Sequence, residues 1–110
     1  MNQHLNRLQR DLPAGCDGVL ITSYANRFYY TGINSSAGML LVTKTEAVFL
    51  IDFRYIELSK SLADGFSVVK LEDIPTQLCA YVKKLCIKKL FVETDITVAD
   101  YHSYQRMLGA

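Results

Sequence analysis

Apolar and polar positions along the chain fall into short blocks whose spacing switches between a helical and a strand period. Leu5, Leu8 and Leu12 stand at i, i+3 and i+7, which predicts an amphipathic helix stopped by Pro13 and Gly15. Val19-Leu20-Ile21, bounded by Gly18 and Ser23, is the short continuous apolar run expected of a buried strand. Ser23 is placed to cap a helix running through Asn26, Phe28 and Tyr30, with Gly32 closing it. Met39-Leu40-Leu41-Val42 and Ala47-Val48-Phe49-Leu50-Ile51 predict two strands joined by the polar turn Lys44-Thr45-Glu46. That is a β-hairpin, so the sheet contains an antiparallel pair.

Asp52 then stands where it can cap a helix that begins near Arg54 and carries Tyr55, Leu58 and Leu62 on one face. Residues 66–71 predict a strand. Ile74, Leu78, Val82 and Leu85 predict a helix, with Pro75 in its first turn. Leu90-Phe91-Val92 is a further strand, and Thr97 followed by Asp100 resembles a capping box opening a last helix that ends near Gly109. Strands alternate with helices apart from the one hairpin. The predicted fold class is therefore α/β, a layered mixed β-sheet flanked by helices in a single domain over residues 1–110. In such an alternation another strand should follow the last helix, so the chain is expected to be a fragment of a longer polypeptide.

Half of the 110 residues are hydrophobic, enough for a core without disulfides or metal. Twelve basic residues face eleven acidic ones, a formal charge of +1. That balance gives no electrostatic footprint for nucleic acid or for an anionic membrane. Three cysteines, Cys16, Cys79 and Cys86, lack the C-x-x-C spacing of a zinc knuckle. Cys79 and Cys86 lie two helical turns apart and are expected to share a buried face of one helix. The N-terminus has no uninterrupted apolar stretch of signal-peptide type, and no run approaches the ~20 apolar residues of a membrane span. The expectation is a soluble protein of the cytoplasm.

Candidate chemistry is sparse. Asp52, Glu93 and Asp95 fall at strand ends, where carboxylates could converge on Mg²⁺ as in layered α/β nucleases. No further carboxylate completes the set, so the bland reading is preferred: Asp52 caps a helix, while Glu93 and Asp95 open a solvated loop. His4 and His102 stand apart from any Cys or carboxylate at metal-ligand spacing, and H-E-x-x-H, G-x-S-x-G, P-loop and G-x-G-x-x-G motifs are absent. The richest stretch is Thr31-Gly32-Ile33-Asn34-Ser35-Ser36-Ala37-Gly38, where two glycines bracket an amide and two hydroxyls. It can be a ligand-binding loop or a plain helix-to-strand connection. Of the seven tyrosines, some could face a partner, though core packing accounts for most of them equally.

Asn26-Arg27-Phe28-Tyr29-Tyr30-Thr31-Gly32 resembles the N-x-x-Y-x-(T/S)-G segment of the creatinase/prolidase N-terminal domain. Gly38-Met39-Leu40-Leu41-Val42-Thr43 is similar to the strand that follows it there, and Asp52-Phe53-Arg54-Tyr55 resembles the family's D-x-R-Y motif. Ile33 and Phe53 depart from the aromatic and the glycine common at those places. Asn26, Tyr29, Gly32, Asp52, Arg54 and Tyr55 are thus motif residues.

The resemblance implies a ribonuclease H-like layered fold and the non-catalytic N-terminal domain of a Xaa-Pro aminopeptidase or dipeptidase. It implies, further, a separate C-terminal pita-bread domain as partner, holding two divalent metals, commonly manganese, with none of their ligands in this chain. A homodimer, a proline-containing peptide substrate, and a loop of Asn34, Ser35 and Ser36 near the partner subunit's active site follow in the same way. Creatinase, an amidinohydrolase, shares the domain, so a creatinase-like reaction stays open. Two rivals stand beside this reading: a free-standing small-ligand or scaffold module, and a metal-dependent nuclease built on Asp52, Glu93 and Asp95.

Overall fold

The computed structural model describes residues 3–12, 15, 17–33, 38–52, 56–63, 65–93 and 96–108. In chain order its elements are α1 (Gln3–Arg10), β1 (Gly18–Ile21), α2 (Tyr24–Thr31), β2 (Gly38–Val42) and β3 (Ala47–Ile51). Then follow α3 (Ile56–Leu62), β4 (Ser67–Lys70), α4 (Ile74–Lys84), β5 (Leu90–Val92) and α5 (Val98–Leu108). The strands form one mixed sheet in the order β4-β3-β2-β1-β5. β1, β2 and β3 make an antiparallel meander, with Leu20 opposite Leu41 and Leu40 opposite Phe49. β4 and β5 add in parallel at the two edges, beside β3 and β1. The predicted hairpin is present, and Thr43 closes its turn: the Thr43 amide donates to the Glu46 carbonyl at 2.7 Å, and its hydroxyl accepts from the Glu46 amide at 3.0 Å.

Alternation along the strands divides the core in two, as a pleated sheet requires. Ile21, Leu40, Val42, Ala47, Phe49 and Ile51 face one layer with Leu5, Ile33 and Phe66, and Leu8, Tyr30 and Ile56 pack against them. α1, α2 and α3 therefore cover this side. Leu20, Met39, Leu41, Val48 and Leu50 face the other, under Leu78 and Ile87, with Val82, Tyr104 and Leu108 alongside. That side is roofed by α4 and α5. Because β2 and β3 are covered on both faces, their residues are continuously apolar, as the uninterrupted sequence runs predicted. This is the layered α/β class implied by the resemblance.

Caps fall where expected at three helix ends. Ser23 precedes α2 in an extended conformation and its Oγ accepts from the Asn26 amide; Gly32 ends the helix with φ of 73°, a left-handed turn that glycine adopts without strain. Thr97 Oγ1 accepts from the Asp100 amide at the start of α5. The cysteine expectation is corrected: α4 stops at Lys84, so Cys86 lies beyond the helix with φ of 57° and is exposed. Cys79 stays on the helix and its thiol donates to the Met107 carbonyl at 2.9 Å, joining α4 to α5. The expected Asp52 cap and the Tyr55–Leu58–Leu62 face rest on positions outside the described residues.

Phe49 is fully buried and meets Phe66 edge-on at 5.9 Å between centroids, whereas Phe91 on edge strand β5 is 42% exposed. Denaturant melts should show Phe49→Ala losing about 3–5 kcal/mol and Phe91→Ala about 1 kcal/mol or less. Similar losses at the two positions would contradict the assignment of the core to the central strands.

Candidate functional site

β1, β3 and β5 run in one direction, so their C-terminal ends lie at the same edge of the domain. From there β1 leads into α2 on one face of the sheet, and β5 leads into α5 on the other. Two neighbouring parallel strands whose connections leave to opposite faces create a crevice between them, the usual ligand position in open α/β sheets. Here the crevice holds a side chain of the chain itself. Glu93 follows β5 directly, and its Oε1 accepts from the Thr22 amide (2.7 Å), the Thr22 hydroxyl (3.2 Å) and the Ser23 amide (2.9 Å). Its Oε2 accepts from the Ser23 hydroxyl (2.6 Å) and Asn26 Nδ2 (2.6 Å).

A carboxylate offers about four lone-pair positions, and these five donors fill them. The charge also lies against the N-terminal end of α2, where the helix dipole favours an anion. Burial by itself raises the Glu93 carboxyl; the hydrogen bonds from the Ser23 and Asn26 side chains and the Thr22 and Ser23 amides outweigh it and hold the group below its ordinary value. Next to it, the Arg27 side chain is only 4% exposed. Its Nε donates to the Ser23 carbonyl at 3.3 Å and its Nη1 to the Gly38 carbonyl at 3.1 Å. Burial lowers the guanidinium from its ordinary value, and the Glu93 charge opposes that shift.

Of the three acidic residues at strand ends, Glu93 departs from the expectation of a solvated loop. Glu93 is no solvated loop residue but the centre of a half-buried network. Asp52 ends β3 at the same edge, half-buried, with β2 and β1 between it and β5. Three strand spacings put roughly 14 Å between their backbones, too far for a shared cation. Asp95 is outside the described residues. Among the described residues, His, Cys, Asp and Glu side chains form no group of three or more that could hold a metal ion. Glu93, with its lone pairs occupied, does not fit a metal ligand, and no step is derived through one.

Of the motif residues, Asn26 donates to Glu93 and Gly32 makes the turn out of α2. Tyr29 is about half exposed, with its ring 4.1 Å from that of His4 and 5.0 Å from that of Tyr30. Tyr24 and Phe28, stacked at 6.5 Å, are exposed on the same helix. Asn34, Ser35, Ser36, Arg54 and Tyr55 lie outside the described residues, but both flanks of the 34–37 segment are placed. The Ile33 amide donates to Thr31 Oγ1 at 3.1 Å, and Gly38 starts β2 under the Arg27 guanidinium. Sequence reasoning named Glu93 only as a candidate cation ligand or a solvated loop residue, so it missed the network that Glu93 centres, and it missed Arg27. The one local signal was the run of hydroxyl and amide side chains at Thr22, Ser23 and Asn26, which has more donors than a single cap requires.

The depressed carboxyl fixes the sign of a pH dependence. Folding stability from Glu93 is fully present above the ordinary glutamate value near 4.5 and is lost as pH falls through the lower folded value. Glu93→Ala should cost about 2–3 kcal/mol at neutral pH, since it leaves half-buried donors unpaired. In melts repeated toward pH 3, the gap between wild type and variant should narrow. A pH-independent gap would mean that the charge itself contributes nothing.

Residues 5–110 match the family model described as the creatinase/prolidase N-terminal domain. The chain is 36% identical over 106 residues to a putative Xaa-Pro aminopeptidase of Mycoplasma pneumoniae, covering 96% of this chain and 29% of that protein. A solved Xaa-Pro dipeptidase from Bacillus anthracis superposes with a TM-score of 0.82 at 32% identity, over 98% of this chain and 30% of the other. The N-terminal domain of the cytoplasmic peptidase PepQ from Mycobacterium tuberculosis gives 0.85 at 26% identity, over all of this chain and 88% of that domain. This chain therefore spans under a third of the two full-length relatives and nearly the whole of the isolated domain. With the sequence segments, the superpositions and the matched span in agreement, the chain belongs to the creatinase/prolidase N-terminal domain family.

Proposed function

We propose that this chain serves as the non-catalytic N-terminal domain of a metal-dependent Xaa-Pro aminopeptidase or dipeptidase, cytoplasmic and dimeric. The observation that carries the reading is the near-complete match to an N-terminal domain that makes up under a third of the peptidase relatives. The chemistry then belongs to a C-terminal domain holding two divalent metals, manganese among the candidates. Such a centre activates water and polarises the scissile carbonyl, but it does not by itself restrict the length of the peptide. A domain standing over the entrance does so sterically. In this reading Asn34, Ser35 and Ser36 lie near the substrate at the partner subunit's active site.

Two features of the surface support that role. The half-exposed Tyr24, Phe28 and Tyr29 on α2 are the kind of aromatic group that an interface with the catalytic domain or a second subunit would cover. The crevice at the ends of β1 and β5, where a free-standing ligand-binding module would take its ligand, is filled by Glu93. No specific observation favours the creatinase-like alternative or the scaffold module.

The isolated 110-residue chain should release no N-terminal residue from Xaa-Pro peptides, with or without added manganese; metal-dependent turnover by the pure chain would sink the proposal. In the two-domain enzyme, bulky replacements at Ser35 and Ser36 should change the ratio of kcat/KM between a dipeptide and a longer Xaa-Pro peptide. The same replacements should cost about 0.5 kcal/mol or less in folding stability. An unchanged ratio in a normal dimer would reduce the loop to a connection.

A further inference from the structure

The outward arc of α2 is largely aromatic. Tyr24 is 49%, Phe28 48% and Tyr29 51% exposed, and the Tyr24 and Phe28 rings stack at 6.5 Å. Tyr30, by contrast, packs on the core. Across the helix pair, the exposed His4 ring of α1 lies 4.1 Å from the Tyr29 ring, so the aromatic surface continues from one helix to the next. A Phe or Tyr side chain has about 200 Å² to bury, so these three, each half exposed, leave about 300 Å² in water. A patch of that size on a soluble domain is often a functional surface.

The charge around this patch has one sign. Neither α1 nor α2 contains an aspartate or a glutamate. α1 presents Arg7, one turn on from His4, and Arg10, whose Nε lies 3.7 Å from Asp11 Oδ1 just past the helix. A second copy related by a two-fold axis would bring this face against itself, cations included, with no carboxylate on either helix to meet them. The apolar area is also well below the roughly 800 Å² per partner that a standard interface buries. A domain in the same polypeptide docks on less, because a short tether holds it at an effective concentration in the millimolar range. We propose that the outward face of α1 and α2 docks against the catalytic domain of the same polypeptide, on an apolar surface bordered by carboxylates. Docking of this kind rests on the two-domain peptidase reading, and it assigns both the surface used and the chemistry of its counterpart.

The experiment places the photocrosslinker p-benzoylphenylalanine at position 28 of the two-domain enzyme, as an equal mixture of ¹⁵N-labelled and unlabelled protein. After irradiation, the products are sized on a denaturing gel and the linked peptides are mapped by mass spectrometry. The expected product has the mass of one polypeptide, carries a single isotope label and links α2 to a catalytic-domain peptide. Adding Arg7→Glu should lower the yield of that product about threefold at low ionic strength, with the loss shrinking in high salt, while Arg7→Lys keeps the yield near the parent value. A product of two polypeptides with mixed labels overturns the proposal, whether it links α2 to a second α2 or to the other subunit's catalytic domain. So does a yield that Arg7→Glu leaves unchanged, or the absence of any link outside residues 1–110. Turnover of alanyl-prolyl peptides by the same preparation is scored separately. Metal-dependent cleavage with the crosslink placed elsewhere removes the docking surface and leaves the peptidase reading standing; no cleavage removes the peptidase reading and the proposal with it. Should the variant at position 28 fail to fold, the same crosslinker at position 24, on the same arc, decides by the same criteria.

Discussion

The Glu93 carboxylate is the constraint on which the edge of the domain at the ends of β1 and β5 depends. β5 is a three-residue edge strand paired on one side only, to β1, and so short a ladder fixes little by itself. The five hydrogen bonds from Thr22, Ser23 and Asn26 add a second, charge-assisted attachment immediately beyond it. They set the start of α2 against the end of β5. Ser23, so held, presents its carbonyl to the Arg27 guanidinium, which in turn donates to the Gly38 carbonyl at the start of β2. A displacement at one end of this chain of contacts has a physical route to the other.

The same carboxylate bears on what the domain can do. An open α/β sheet has its natural binding crevice where adjacent parallel strands send their connections to opposite faces, and helix N-termini near such a crevice favour anions. In this chain the crevice and the α2 terminus are present, but the anion is an internal side chain. The amides of Thr22 and Ser23 that might cradle a phosphate or a substrate carboxylate are already satisfied. A common ligand site has become a structural clasp.

Behind that edge, the layers are conventional in their physics. β2 and β3 are covered on both faces and are apolar throughout, while the edge strands β4 and β5 tolerate exposed positions such as Ser67, Lys70 and Phe91. α2 faces two ways: Tyr30 packs toward the core and Arg27 is buried among carbonyls, while Tyr24, Phe28 and Tyr29 look outward. Its outer surface is more aromatic than an ordinary solvated helix requires, and Gly32 closes the helix in a left-handed turn.

What the sequence by itself determined is whatever depends on neighbours within a few residues. The apolar runs of β2 and β3, the hairpin turn at Thr43 to Glu46, the caps at Ser23, Gly32 and Thr97, and the helical period of α4 are local, because dihedral preferences and amphipathic spacing act over one or two turns. The motif segments around Asn26 and Asp52 also made the family legible. The tertiary structure decided the rest. Pairing of β5 with β1 brings Glu93 to within hydrogen-bonding distance of residues about seventy positions earlier, and no periodicity connects them. A glutamate directly after a strand has the same local signature whether it is solvated or clasped. Arg27 reads locally as one more polar position on a short helix; its burial exists only because β2 returns beneath it at Gly38. Cys86 shows the converse, since a helical spacing extrapolated from Cys79 runs past the point where α4 ends at Lys84. Long-range partners are chosen by sheet order and register, and those belong to the folded chain as a whole.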